Sequence, residues 1–191
     1  MRRIIDWKAY WAEIQKLDIL NDPEEVAVRQ NLLDELTDRA AAYYQHINEY
    51  NLVQHCKAIE ARGLRFKPLS KQTVARRWDT FFASGLSREV KRKIYYSQYK
   101  WHMFSYEQVP AKEGADAKRS FNRRKKGAAY LFFQHTNEAW YIENAQLLTA
   151  ADFMVNYSFQ KADLYIFDAN GKWAFVRTHE PYCGPYFLRN E

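Results

Sequence analysis

Cysteine, glycine and proline are scarce in this sequence, and each scarcity closes off a class of protein. The two cysteines, Cys56 and Cys183, lie far apart in different kinds of segment. Two are too few for a disulfide framework, so a reducing compartment is expected. Six glycines and five prolines in 191 residues leave no room for long irregular loops or low-complexity linkers. No run of about 18 apolar residues occurs, so no transmembrane helix is predicted. The amino terminus, M-R-R-I-I-D-W-K, lacks the apolar centre of a secretion signal because Asp6 and Lys8 interrupt it at once. A soluble, cytoplasmic protein with no membrane partner is therefore expected. Also missing are H-E-x-x-H, C-x-x-C, and any RNP, KH or zinc-finger pattern. No internal repeat is present.

Aromatic residues are abundant by contrast, at 17% of the chain. Tyrosine and tryptophan pair a large face with a polar tip, which suits cores near a surface, protein interfaces and base stacking alike. Charge is unevenly placed. Residues 1–61 carry 7 Lys/Arg against 11 Asp/Glu, residues 62–126 carry 18 against 5, and residues 127–191 carry 4 against 7. The basic middle is a better guide to partners than the net charge of +6.

The periodicity predicts an α+β protein in which a helical amino-terminal half packs with a small antiparallel sheet of about four strands, helices lying against one face. Ile4, Trp7, Trp11 and Ile14 form one helical stripe. Asp22-Pro23-Glu24-Glu25 opens a second helix, with Asp22 as cap and Pro23 at the first helical position. That helix reaches toward Arg62-Gly63, with a break expected near Asn48–Asn51, and the two segments form a helical hairpin. Arg65 to Leu69 reads as a connector, which makes 1–66 a helical extension and 67–191 the α+β domain. Ser70 and Ser87 each cap a further helix, Tyr95 to Tyr106 fits either period, and Pro110 to Gly114 reads as a loop. A short helix over about 115–126 ends at Gly127. Strands follow at Ala129–Gln134 and Ala139–Glu143, then helical turns capped by Thr149. The hairpin Asp163–Phe187 turns at Asn170-Gly171, where a type I′ turn is expected.

Several motifs occur in a familiar order: W-H-M-F-S-Y-E from Trp101, F-N followed by the basic run from Phe121, and Y-L-F-F-Q-H from Tyr130. To these add E-N-A from Glu143, T-H-E from Thr178 and C-G-P-Y-F from Cys183. From about Trp78 to Phe187 the chain resembles an uncharacterised bacterial family of the domain of unknown function 4275 type. The resemblance implies a bacterial source and an α+β domain, and it brings no activity, substrate or catalytic residue. The first 70 residues fall outside it.

Two constellations carry candidate chemistry. His179, Glu180 and Cys183 lie within five positions and, with His102 and His135, offer imidazole, carboxylate and thiolate ligands. Their spacing matches no standard metal motif, and no metal or cofactor is expected. The same residues form a candidate Cys/His nucleophile pair, with Glu180 or Gln134 orienting the imidazole, or a general acid–base pair. Nothing local lowers the thiol pKa of Cys183. The structural alternative is a hairpin end locked by hydrogen bonds. The second constellation is the basic segment: Arg76, Arg77, Arg88, Lys91, Arg92, Lys93, Arg123, Arg124, Lys125 and Lys126, with Tyr95 and Tyr99 beside it. These are expected to face a partner with an acidic surface, unless they solvate outer helix faces or contact the acidic amino-terminal helices. The leading expectation is a non-enzymatic protein-binding module of the immunity or regulatory kind, although a nuclease inhibitor would ordinarily be acidic. Nucleic-acid binding through residues 62–126 is the alternative, and a metal-dependent or Cys/His enzyme the second alternative.

Overall fold

Helix capping sets the first elements. In the computed structural model, which describes residues 6–134, 137–154 and 163–190, the Asp6 carboxylate accepts from the N–H groups of Lys8 (3.0 Å) and Ala9 (3.3 Å). It starts α1 (Trp7–Leu17). The Asp22 carboxylate accepts from the Glu24 N–H (2.9 Å) at the start of α2 (Pro23–Glu60). Arg29 reaches Glu13 (3.9 Å), linking the two helices. The break expected near Asn48–Asn51 is absent. Between Pro23 and Gly63 the sequence has neither proline nor glycine to interrupt the backbone hydrogen bonds, and Gly63, at φ +94°, ends the run. The chain divides into two compact units, Met1–Asn51 and Leu52–Glu191.

Among the described residues of the second unit the sheet has seven strands, in place of the four expected. They are β1 (Arg65–Pro68), β2 (Lys112–Glu113), β3 (Ala129–Phe133), β4 (Ala139–Glu143), β5 (Leu164–Asp168), β6 (Trp173–Arg177) and β7 (Tyr186–Arg189). Their order is β1-β4-β3-β5-β6-β7-β2, and every pairing is antiparallel. The expected connector at Arg65–Leu69 is thus edge strand β1, paired with β4 from Arg65↔Glu143 to Pro68↔Trp140. Proline is tolerated there because an edge strand leaves one row of N–H groups unpaired. The expected loop Pro110–Gly114 contains β2, the opposite edge, which pairs with β7 over two residues.

Both faces of the sheet are covered, where helices on one face were expected. Tyr130, Phe132, Tyr165, Phe167, Ala174 and Val176 point to one side and pack with Val74, Trp78 and Phe82 of α3 (Lys71–Phe82). Ala129, Leu131, Phe133, Leu164, Ile166 and Phe175 point to the other, against Ala117 and Phe121 of α6 (Gly114–Arg123), Ile59 and Phe153. Strands β3 and β5 are buried along their whole length, which is why A-Y-L-F-F and L-Y-I-F lack alternation. Helix α4 (Arg88–Lys93), capped by the Ser87 hydroxyl on the Val90 N–H (3.2 Å), stops after six residues where Tyr95 takes φ +52°. The ambiguous stretch after it is a series of turns with one short helix, α5 (His102–Ser105). Thr149 and Asp152 form a capping box over the 3₁₀ turn Ala150–Phe153.

The Asn170-Gly171 hairpin is not the expected type I′ turn, because Asn170 does not have positive φ. The Asp168 carboxylate accepts from the N–H groups of Asn170 (3.0 Å) and Lys172 (3.2 Å), which folds the four-residue loop between β5 and β6. Gly171, at φ +74°, closes it, and a Cβ there would lie 2.6 Å from Cγ of Phe81.

Candidate functional site

The sheet positions its polar residues at its two ends. At one end, where β5 begins and β6 finishes, the fully buried Asp163 carboxylate accepts from the His179 backbone N–H (2.8 Å) and faces its Nδ1 (2.9 Å). The other ring nitrogen, Nε2, stands 3.2 Å from Glu180 Oε1. His179 is held between two carboxylates, and it is Asp163, not Gln134, that orients the imidazole. His102 donates Nδ1–H to the Ile94 carbonyl (2.6 Å). Tyr99 lies between the two histidines, its ring centroid 5.0 Å from His102 and 5.4 Å from His179. The structure thus brings His102 and His179 into one aromatic cluster. His135 lies outside the described residues. Among the described residues, no group of three or more His, Cys, Asp or Glu side chains is arranged to hold a metal ion.

Cys183 sits on the turn that follows. The Thr178 hydroxyl faces the carbonyl oxygens of Glu180 (3.0 Å) and Cys183 (2.5 Å), and the Gly184 N–H donates to Glu113 Oε1 (2.7 Å). Burial, then the nearby charges of Glu113 and Glu180, push the Cys183 thiol up. A nucleophilic cysteine needs the opposite shift. Arg177, buried at the end of β6, is pushed down to about 10 by burial, with Asp163 opposing the shift.

Sequence reasoning missed two functions of Gln134. Its side-chain carbonyl accepts from the Lys100 N–H (2.8 Å) and the Tyr165 hydroxyl (2.5 Å), and its amide nitrogen donates to the Ser97 carbonyl (3.3 Å) and to that of Gln98. Its backbone carbonyl accepts from Lys71. The residue therefore pins the turns after α4 to the sheet. The polar set on α3 does the same: Trp78 Nε1 donates to the Tyr96 hydroxyl (3.1 Å), which donates to Asp79 (2.7 Å). Lys100 joins Asp79 at 2.6 Å. Burial and the Asp79 charge hold the Tyr96 hydroxyl well above the ordinary phenol range. The only legible signal for Gln134 was its place at the polar end of an apolar strand.

The basic residues divide into two groups. Arg76, Arg77, Arg88, Arg92 and Lys93 are exposed on α3 and α4. Arg77 lies over the Tyr130 ring (5.2 Å), Lys91 over Tyr96 (5.6 Å), and Lys93 pairs with Glu89 (2.9 Å). Tyr95 is exposed beside them, while Tyr99 belongs to the histidine cluster. The second group follows α6. Arg123 and Lys125 are exposed, but Lys126 is turned inward and only 4% exposed. Its amino group donates to the carbonyls of Phe121 (2.9 Å) and Arg124 (3.3 Å), capping the helix end, and burial pushes its pKa down. Lys126 is therefore a structural cation and not an exposed contact. At the end of the sheet opposite His179, where β5 finishes and β6 begins, a cleft of about 570 Å³ is lined by Arg124, Lys125, Tyr141, Asp168 and Lys172.

A family model described as a domain of unknown function (DUF4275) matches residues 69–187, from the start of α3 into β7. No curated protein and no solved structure matches the chain.

Proposed function

The chain belongs to that family, DUF4275, whose description names no activity, and we propose that it is a non-enzymatic protein-binding module that captures an acidic partner surface. The observation that supports this reading is the set of exposed cations on α3, α4 and the end of α6. Among the described residues, Arg76, Arg77, Arg88, Arg92, Arg123 and Lys125 form no ion pair. Exposed guanidinium groups, together with the exposed ring of Tyr95, match the residue types that anchor protein interfaces. Large apolar side chains also stand exposed in the first unit, among them Trp11, Leu32, Leu36, Tyr43 and Tyr50. Exposed apolar surface favours a protein partner over nucleic acid, which offers mainly charge to such a surface.

The His179 corner supports the same reading. Both imidazole nitrogens of His179 face carboxylates, and the Cys183 thiol is shifted away from reactivity. Those groups hold the turn together. The partner is of the immunity-target or regulatory kind, and a toxin-like gene directly beside this one would identify it.

A pull-down from the native host tests the proposal. The wild-type chain should retain a protein that survives nuclease treatment of the lysate. A variant carrying Arg76→Glu, Arg77→Glu, Arg88→Glu and Arg92→Glu should lose it. Retention that disappears on nuclease treatment would overturn the reading in favour of nucleic acid.

A further inference from the structure

We infer that the cleft at the β5–β6 turn seats the side-chain carboxylates of an acidic peptide segment, an assignment that rests on the reading of the chain as a module for an acidic partner. Three cations, Arg124, Lys125 and Lys172, line it against one carboxylate, Asp168. Among the described residues, none of the three cations is ion-paired. Asp168 is 8% exposed, and its Oδ2 accepts from the N–H groups of Asn170 and Lys172. It secures the turn, and with three cations against its one charge the cleft is positive. Arginine and lysine placed around one recess are suited to carboxylate oxygens, with Arg124 able to bind both oxygens of one group.

The walls are fixed before any ligand arrives. Gly171 is packed against Phe81, and Asn190 Nδ2 donates to the Gly171 carbonyl (2.9 Å) and to the Phe81 carbonyl (3.2 Å). Arg124 follows α6 directly, its N–H bonded to the Ser120 carbonyl (3.1 Å). A rigid recess loses little conformational entropy on binding. The aromatic lining argues for a peptide and against single-stranded nucleic acid. Tyr141 is half-buried, its ring 5.4 Å from Tyr130, and among the described residues it is the one aromatic side chain lining the cleft. Successive bases need a series of open rings on which to stack.

Fluorescence anisotropy of a labelled hexaglutamate peptide against the full chain at low ionic strength tests this. The variant Arg124→Gln/Lys125→Gln/Lys172→Gln should weaken binding at least about tenfold, the loss expected from one charge-assisted contact. The control Lys8→Gln/Lys57→Gln/Lys112→Gln, which removes the same charge from exposed positions outside the cleft, should bind nearly as the wild type does. The backbone amide signals of Lys125 and Lys172 should shift as hexaglutamate is added. Loss in the control with retention in the cleft variant would overturn the cleft assignment and leave the acidic-partner reading standing. A wild-type chain that binds oligothymidine but not hexaglutamate would overturn both. Equal weakening in the two variants would reduce the cleft to general surface charge and overturn the assignment.

Discussion

Cys183 and Gln134 show how single residues divide between chemistry and support. The Cys183 thiol is pushed above its ordinary value of 9.0 by burial and two carboxylates. A folded pKa above the unfolded one means that the stability linked to the neutral thiol is present below pH 9.0 and is lost as the pH rises toward the folded value. In a Cys56→Ser background, the rate of iodoacetamide alkylation should therefore rise with a midpoint above pH 9.0. A midpoint near neutrality would reveal an activated thiol and reopen the Cys/His reading. Gln134 predicts a different outcome. Its side chain satisfies partners on two segments, the turn at 97–100 and β5, so Gln134→Leu leaves the Lys100 N–H and the Tyr165 hydroxyl without their acceptor. The expected cost is about 3 kcal/mol, seen as a lower urea midpoint with an unchanged slope. The sequence named His179, Glu180 and Cys183 because they are neighbours in the chain. It did not name Asp163 as the imidazole's partner, because that contact spans 16 residues and depends on the pairing of β5 with β6.

Among the elements, the β5–β6 hairpin is the most constrained. Gly171 must adopt φ +74°, and a Cβ there would meet the Phe81 ring at 2.6 Å. Gly171→Ala should cost roughly 2–3 kcal/mol, part from backbone strain and part from the clash. Phe81→Ala in the same chain should recover only the steric part, which a double-mutant cycle on denaturation midpoints measures. The turn was legible as a turn but not as to type, since Asn-Gly favours I′ only where no carboxylate competes for the loop's N–H groups. Strands β3, β4, β5 and β6 were legible because runs of Tyr, Phe, Ile and Val fill them. Edge strands β1 and β2 were not: R-F-K-P and K-E carry no apolar alternation, and only their partners' backbones make them strands. The coverage of both sheet faces was recorded in A-Y-L-F-F, a five-residue stretch with no polar position.

At the scale of the molecule, both apolar clusters are built from residues at or beyond Ile59. Residues 52–191 expressed alone should accordingly keep a single cooperative unfolding transition and a native near-ultraviolet dichroism signal. A chain that loses that signal would show that the first unit is needed for the core. The uneven charge of the sequence was legible, but not its division. Residues that form one basic segment in the chain reach α3 and α4 in one group and the cleft after α6 in another, and Lys126 leaves the surface altogether.

The two edges of the sheet limit how a partner can be recognised. β1 ends in Pro68, which has no N–H to offer, and carries Arg65 and Lys67, while β2 is two residues long. Neither edge offers an incoming extended segment a long ladder of backbone hydrogen bonds. An eighth strand, whether from a partner or from another copy of the chain, finds only a short template at either described edge. The recognition of an acidic partner proposed above would therefore proceed through side chains. On that proposed reading, one partner is exchanged for another by altering a handful of surface residues while the hydrogen-bonded frame beneath them stays unchanged.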